Sequence, residues 1–344
     1  LMNFSDVSYK SFVKSESEII TLFYDKFADI PLLSRMDAVA ETFIDEIETL
    51  LNRDLPEEER IPLIEKFQKM YETMDFYVLY NRFLKKEGYQ TLPRQPLEKR
   101  KLRYEDVYPV LYLKYRLSRQ AERSNIKHLV IDEMQDYSRL QYLIIRWMFS
   151  CKMTILGDRA QTMADQQQDV LQFLPGIFGK DLRRIEMRKS YRNTVEIASY
   201  AANLIGVTDL ELFERHGMPV LERDVTDLEA SLREAVDTLF PEEKTYETAA
   251  VIVPDEKTAE RAYLILREIL AEKDFDCGKR LSWLNRDSSS FKKGLTVTTF
   301  YLAKGLEFDQ VFSIFPKDEK REIMMQAQYI AATRALHELR VYHI

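Results

Sequence analysis

Two adjacent carboxylates, Asp132 and Glu133, directly follow a short apolar stretch that predicts a buried strand over residues 128–131. In an open α/β sheet, ligands bind beyond the carboxyl ends of the strands. An Asp at that position can hold Mg²⁺, and the Glu after it can orient or deprotonate an attacking water. This is the Walker B arrangement of nucleotide hydrolases, although an acidic turn after any apolar strand has the same appearance.

A second apolar stretch, residues 152–158, predicts another buried strand that ends in Gly-Asp, and Gln161 follows three residues later. A Gln at the exit of a strand can contact a γ-phosphate or the water that attacks it. Taken alone, Gln161 is more simply a polar residue of a loop.

Two further candidates, Tyr191 and Arg192, precede a helix that the sequence predicts over residues 195–204. Tyr191 could stack on a base, and the fixed guanidinium of Arg192 could bind phosphate oxygens bidentately. Ser190 or Asn193 could simply cap the helix.

The last third of the chain adds two sets of candidate site residues. Gly305 allows a tight turn, Glu307 could accept a hydrogen bond from a ribose hydroxyl, and Lys304 belongs to the same stretch. Arg334 lies near one end of a helix predicted over residues 326–336. An inward Arg on such a helix is suited to act as an arginine finger, and a surface ion pair is the alternative.

The chain around these candidates divides into two regions that differ in composition. Residues 1–126 contain one glycine, Gly88, and predict mostly helices, including one over residues 104–117. Strands and helices alternate after residue 128, with a strand candidate at residues 182–187. No Gly-x-x-x-x-Gly-Lys-Ser/Thr loop precedes Asp132, so either the carboxylates are not a nucleotide site or the chain is part of one.

Composition narrows the class of protein. The chain has 344 residues, 45% of them hydrophobic, which indicates roughly two globular domains, and no apolar run approaches a membrane span of about 20 residues. The net charge of −7 argues against bulk attraction to nucleic acid, but not against a local basic groove. Two distant cysteines and four histidines do not indicate a zinc site, and they fit a reducing, cytoplasmic setting.

Taken together, five ordered motifs resemble the UvrD/Rep family of superfamily 1 helicases, over residues 128–344. The motifs are Asp-Glu-Met-Gln-Asp (132–136), Gly-Asp-Arg-Ala-Gln (157–161), Ser-Tyr-Arg-Asn-Thr (190–194), Ala-Lys-Gly-Leu-Glu-Phe-Asp (303–309) and Tyr-Ile-Ala-Ala-Thr-Arg-Ala (329–335). The Tyr-Glu-Asp at residues 104–106 and the Asp-Tyr-Ser at residues 136–138 look closer to the HelD/helicase IV branch.

The resemblance implies an α/β fold with RecA-like parallel-sheet domains of the P-loop NTPase type, the first of them incomplete. Residues 1–100 would be a helical segment, an insertion of the first RecA-like domain. Residues 101–178 would complete that domain, and residues 179–344 would form the second RecA-like domain.

The resemblance also implies a site for ATP and Mg²⁺. Its nine residues would be Asp132 on Mg²⁺, Glu133 as the water-activating base, Gln161 as the γ-phosphate sensor, Arg192 and Arg334 on the γ-phosphate, Tyr191 against the adenine, Glu307 on the ribose, and Lys304 with Gly305 in the same nucleotide-binding stretch.

The expected function is that of a C-terminal fragment of an ATP-dependent DNA helicase or translocase, inactive alone without the P-loop. Its partner would be single-stranded DNA or a DNA/RNA complex, with no membrane involved. Two departures from the family pattern, the absence of an aromatic Arg-Gly stretch in residues 162–174 and Tyr301 in place of a His, keep two alternatives open. One is a HelD-like ATPase that binds RNA polymerase, and the other is a non-catalytic interaction module.

Overall fold

The computed structural model describes residues 2–118, 125–158, 161, 170–187, 189–207, 211–273, 280–288, 293–317 and 322–344. Within these residues the chain forms two compact units. The first consists of Leu1–Asp132, Tyr137–Ile155 and Val170–Lys180, and the second of Glu133–Asp136, Leu156–Asp169 and Asp181–Ile344. Most of the stretch 162–174 lies outside the described residues. No described helix is long and apolar enough to cross a membrane.

The first unit is mainly helical in its N-terminal part, as the sequence predicts. An antiparallel hairpin and five helices come first: β1 Val7–Tyr9, β2 Phe12–Lys14, α1 Glu16–Thr21, α2 Arg35–Leu51, α3 Glu57–Gln68, α4 Phe76–Lys86 and α5 Tyr104–Leu117. A parallel strand pair and two helices complete it: β3 His128–Ile131, α6 Arg139–Met148, β4 Lys152–Ile155 and α7 Val170–Phe178.

The core of the N-terminal helices forms around α2, which buries its apolar positions at helical spacing, including Phe43 and Ile47. A turn separates the next two helices, because α3 ends at Gln68 and Asp75 caps α4. Tyr71 lies in that turn and is buried, and its hydroxyl donates to the carbonyl of Leu32 at 2.5 Å.

The second unit contains a six-stranded parallel sheet in the order β7-β12-β11-β8-β10-β9. The elements of this unit are β5 Lys189–Ser190, α8 Val195–Leu204, β6 Glu211–Leu212, β7 Leu221–Asp224, α9 Leu228–Asp237, β8 Thr248–Val253, α10 Glu256–Glu272, β9 Leu281–Trp283, β10 Gly294–Thr299, β11 Phe308–Phe315, α11 Glu322–Thr333 and β12 Ala335–His343.

Helices cover both faces of this sheet. On one face α9 and α10 pack against side chains such as Val251 and Phe312, and on the other α8 and α11 pack against Ile252 and Val311. The central strands β8 and β11 are buried on both faces, which explains the almost continuous apolar sequence of β8. The α/β prediction is confirmed, and this architecture is compatible with a RecA-like domain.

The strand predicted at residues 182–187 is wrong. These residues form no strand and all six are exposed, including the apolar Leu182, Ile185 and Met187, because no neighbouring core covers them. The strand of this region is the short β5, which pairs in parallel with β6. The connection between α8 and α9 contains β6 and the edge strand β7.

The cap of α8 also differs from the prediction. Thr194, rather than Ser190 or Asn193, is the N-cap, and its hydroxyl accepts from the backbone N–H of Ile197. In the first turn, the carboxylate of Glu196 accepts from the N–H of Gly217 at 2.8 Å and lies 3.0 Å from Nδ1 of His216. The contact with His216, supported by these backbone donors, lowers the pKa of Glu196 to about 2.

A tight turn joins the first two motifs. Glu133 has φ of +52°, the left-handed region, and residues Met134–Asp136 form one 3₁₀ turn. The N–H of Met134 donates to the carbonyl of Leu156 at 2.8 Å, which places the turn directly over Gly157. A Cβ at Gly157 would lie 2.7 Å from the backbone nitrogen of Met134 and 2.5 Å from Oε1 of Gln135. Only glycine fits this close approach.

We expect Gly157→Ala to destabilise the fold by about 1–3 kcal/mol, because the added methyl group overpacks the turn. Thermal unfolding followed by circular dichroism would measure the loss. The control is Gly176→Ala in α7, where an added Cβ meets nothing within 4 Å. That change should be neutral or stabilise by about 0.5–1 kcal/mol. Equal behaviour of the two variants would contradict the packing described for Gly157.

We expect Glu196→Gln to lower Tm by roughly 2–4 °C at neutral pH. The folded-state pKa lies below the ordinary 4.5, so ionised Glu196 stabilises the fold fully above that pH. This contribution is lost as the pH falls from about 4.5 towards 2. The Tm difference between wild type and variant should therefore shrink over that range. Glu260→Gln, at an exposed position of α10, is the control. A difference that does not change with pH would contradict the assignment.

Candidate functional site

The carboxylate of Glu133 is held by two donors. Its Oε2 accepts from Nε2 of Gln135 at 2.6 Å and lies 3.5 Å from Nζ of Lys304. The same ammonium donates to Oδ1 of Asp136 at 2.6 Å, and the side chain of Lys304 is only 7% exposed. Lys304, predicted to bind nucleotide, therefore contacts the carboxylates of the first motif. A buried ammonium between two carboxylates compensates part of their charge and fixes their orientation.

Gln135 connects the first motif to the second. While its Nε2 donates to Glu133, its Oε1 accepts from the backbone N–H of Asp158 at 3.1 Å. The side chain is buried and its amide is bonded at both ends. Sequence analysis did not include Gln135 among the site residues. The one signal was its place inside the first motif.

Gln161 is oriented by the carboxylate of Asp158. Its Nε2 donates to Oδ2 of Asp158 at 2.9 Å, and the hydroxyl of Tyr329 donates to the same oxygen at 3.1 Å. Burial and this carboxylate raise the pKa of Tyr329, so its hydroxyl remains a donor at neutral pH. With the amide nitrogen of Gln161 bonded to Asp158, its oxygen is presented to Arg334.

Arg334 directly follows α11 and is 1% exposed. Its guanidinium donates to Oε1 of Gln161 at 3.3 Å. The other acceptors are the hydroxyl of Thr333 at 3.0 Å and the carbonyls of Ile330 at 3.2 Å and Leu306 at 3.3 Å. Burial and the nearby charge of Arg192 lower its pKa. In the part of the chain that is described, no carboxylate forms an ion pair with Arg334, so the surface ion pair considered for it is wrong.

Two side chains that the sequence did not mark as site residues tie the arginine-bearing segments together. Nδ2 of Asn193 donates to the carbonyls of Ala335 at 2.6 Å and Thr333 at 3.3 Å, the two residues that flank Arg334. The guanidinium of Arg215 donates to the carbonyl of Leu336 at 2.7 Å and also to that of Arg192. The backbones that carry Arg192 and Arg334 are therefore fixed to each other.

The remaining candidates of this unit are exposed. Nε of Arg192 pairs with Oε1 of Glu307 at 2.8 Å, and these side chains are 48% and 41% exposed. Tyr191 is exposed, and its ring centroid lies 5.6 Å from that of Phe213 and 5.5 Å from Nζ of Lys189. Gly305 has φ of +82° and open space around its Cα, as a tight turn requires.

Asp132, the predicted Mg²⁺ ligand, is exposed directly after β3 and belongs to the first unit. The described residues contain no group of three His, Cys, Asp or Glu side chains suited to a metal ion. Mg²⁺ is commonly held by one or two carboxylates together with phosphate oxygens and water. A single Asp is therefore a sufficient protein ligand for Mg²⁺ that arrives with a nucleotide.

The second unit contains four groups with distinct chemical capacities. They are the oriented carboxylate of Glu133, the buried guanidinium of Arg334, the exposed guanidinium of Arg192 and the fixed amide of Gln161. All of them come from the five motifs. Donors of this kind stabilise negative charge on transferred phosphoryl groups, and the carboxylate is suited to accept a proton from water.

Three solved structures are similar to parts of the chain. One is the C-terminal domain of a possible DNA helicase from Lactobacillus plantarum WCFS1, with 24% identity, a TM-score of 0.35 and coverage of 45% of this chain and 88% of that one. The PRRSV helicase has 16% identity, a TM-score of 0.33 and coverage of 63% and 35%. Arterivirus nonstructural protein 10, a helicase solved with DNA, has 14% identity, a TM-score of 0.35 and coverage of 65% and 40%.

These TM-scores are too low to carry a functional argument, and the chain spans well under half the length of those two viral helicases. No curated protein sequence matches the chain. The match in sequence is to a family model and begins before the first motif, in the helical region that the motif-based resemblance did not cover. Residues 6–163 match the model of the UvrD/REP helicase N-terminal domain.

Proposed function

We propose that the chain carries the hydrolytic part of the ATP site of a UvrD/REP-type DNA helicase or translocase. The observation that carries the proposal is the buried guanidinium of Arg334 beside Gln161. Burying a positive charge is costly unless a negative charge compensates it. Among the described residues, the groups that accept hydrogen bonds from Arg334 are neutral, and the carboxylates of Glu133 and Glu307 act on its charge only from beyond hydrogen-bonding distance. A bound phosphate is therefore a suitable direct counter-charge.

The bond between Arg334 and Gln161 suits these residues to sense the γ-phosphate. Nε2 of Gln161 is bonded to Asp158, and its oxygen orients the guanidinium. Phosphoryl transfer is accelerated mainly by positioning and by charge stabilisation of the transferred group. A guanidinium that is already oriented needs little reorganisation when that charge develops.

Glu133 is the proposed general base. Gln135 and Lys304 fix its carboxylate, which would otherwise rotate freely in the turn. Mg²⁺ bound at Asp132 would neutralise charge on the β- and γ-phosphates. Accepting a proton from the attacking water is the role left for Glu133, and general base catalysis of this kind contributes typically 10²–10⁴-fold in rate.

Arg192 and Glu307 form an exposed ion pair that a nucleotide can replace. Such pairs contribute little to stability, so opening this one costs little. Arg192 would then bind phosphate oxygens, Glu307 would accept from the ribose and Tyr191 would stack on the base. Gly305 would allow the backbone turn next to Glu307.

The 344 residues contain no Gly-x-x-x-x-Gly-Lys-Ser/Thr loop. That loop wraps the phosphates with backbone N–H groups, so we expect this chain alone to bind ATP weakly and to hydrolyse little. The partner we propose is single-stranded nucleic acid. RNA polymerase as a partner stays a hypothesis from the HelD-like features.

We expect Glu133→Gln to reduce ATP turnover about 100-fold or more, because the amide cannot accept the proton from water. The measurement is phosphate release with single-stranded DNA present, in the longest natural form that contains these residues. Binding of a fluorescent ATP analogue should change little, because the amide keeps the shape of the carboxylate. Glu260→Gln, exposed on α10, is the matched control and should leave turnover unchanged.

Equal and negligible turnover in wild type and Glu133→Gln would overturn the hydrolytic proposal. That outcome would favour the non-catalytic interaction module, in which the pairing of Glu133 with Lys304 serves only to hold the turn.

A further inference from the structure

Residues 82–104, which we call the 82–104 surface, concentrate positive charge in an acidic chain. They contain eight Lys or Arg residues and two Glu residues, whereas the whole chain has a net charge of −7. This surface lies in the first unit and shares no residue with the candidate ATP site. Local basic surfaces on acidic proteins are commonly binding sites for polyanions.

Three of the eight cations have structural partners. Each is an arginine paired with a carboxylate of the same unit: Arg82 with Glu72 at 2.6 Å, Arg100 with Asp75 at 2.6 Å, and Arg103 with Asp106 at 2.5 Å. The remaining five are exposed, and within the described residues they form no ion pair: Lys85, Lys86, Arg94, Lys99 and Lys101. Those five charges are available to a ligand.

The segment that presents these charges is anchored rather than loosely attached. Leu92 is buried, and its backbone N–H and carbonyl bond the side-chain amide of Asn81 at 2.7 and 3.2 Å. The hydroxyl of Tyr77 donates to the carbonyl of Pro93 at 2.7 Å. These contacts fix the loop against α4, so its exposed side chains leave from a fixed backbone.

Two exposed tyrosines accompany the charges. Tyr89 is 65% exposed and Tyr104 is 80% exposed. Their chain neighbours are joined, because Nη2 of Arg103 donates to the carbonyl of Gln90 at 3.3 Å. The two rings therefore leave from adjacent stretches of backbone. Exposed aromatic rings beside cations offer a surface on which bases can stack.

We propose that the 82–104 surface binds single-stranded nucleic acid. The lysines and Arg94 contact the phosphate backbone, and Tyr89 and Tyr104 stack on bases. Cations alone would suit an acidic protein segment equally, and the exposed rings are the feature that favours bases. The inference rests on the proposed function, because it assigns a surface to the nucleic-acid partner proposed there. Binding at this surface needs no ATP and can be measured without hydrolysis.

The test measures binding of a fluorescent single-stranded oligonucleotide of about 20 nucleotides to this chain by anisotropy, between ~50 and ~200 mM salt. The variant combines Lys86→Gln, Lys99→Gln and Lys101→Gln. We expect binding to weaken about tenfold at low salt, and the slope of log K against log salt to fall by about 2, at ~0.7 for each lost phosphate contact.

The matched control changes three exposed lysines that carry no ion pair among the described residues and lie outside this surface: Lys69→Gln, Lys244→Gln and Lys257→Gln. It removes the same net charge and should change affinity less than about twofold. Equal weakening in the two triple variants would overturn the proposal, because it would show a response to net charge alone. Circular dichroism of each variant verifies that it is folded.

A second variant, Tyr89→Ala with Tyr104→Ala, tests stacking. We expect at least about fivefold weaker binding with an unchanged salt slope, since no phosphate contact is lost. If this variant binds the oligonucleotide as wild type does, and polyglutamate competes at equal concentration, the surface is a site for an acidic protein and the proposal fails. Glu133→Gln should leave oligonucleotide binding unchanged, so the two proposals fail independently.

Discussion

The burial of one positive charge shapes the second unit. Arg334 is almost wholly removed from solvent. Inside a protein an ion is stable only if surrounding groups replace its hydration. Carbonyls, a hydroxyl and the amide of Gln161 do so, and they come from α11, the turn before β11 and the second motif. The segments that meet at this guanidinium therefore have to keep fixed positions relative to one another, and several other polar contacts hold them there.

The contacts that hold the segments are of two kinds. Neutral amides bridge backbone groups, as Asn193 does on either side of Arg334 and Gln135 does between the first two motifs. Charged pairs fix carboxylates, as Lys304 does for Glu133 and Asp136. Each is buried or partly buried, where removing one partner of a bonded pair costs more than the pair contributes. The geometry of the site is thus fixed by side chains, such as Asn193, Gln135 and Lys304, to which the proposed function gives no contact with the nucleotide.

The sequence predicted the elements whose residues carry their own pattern. Helices α5 and α8 have the predicted bounds, because helical spacing marks them. Strand β3 has the predicted bounds but not the predicted burial, since His128 and Val130 are exposed. The strand at residues 182–187 failed because alternation without a face to bury does not make a strand. The pairing of Lys304 with Asp136, 168 residues apart, and the bridge from Asn193 to Ala335, 142 residues apart, have no local signature. They depend on the tertiary fold.

The most direct measurement of the central claim is a crystal structure of the longest natural form that contains these residues, with Mg²⁺ and a transition-state analogue such as ADP–aluminium fluoride. We expect guanidinium nitrogens of Arg334 and Arg192 at about 3 Å from the group that replaces the γ-phosphate, with Arg192 released from Glu307. A nucleotide bound while Arg334 contacts only protein groups would contradict this expectation.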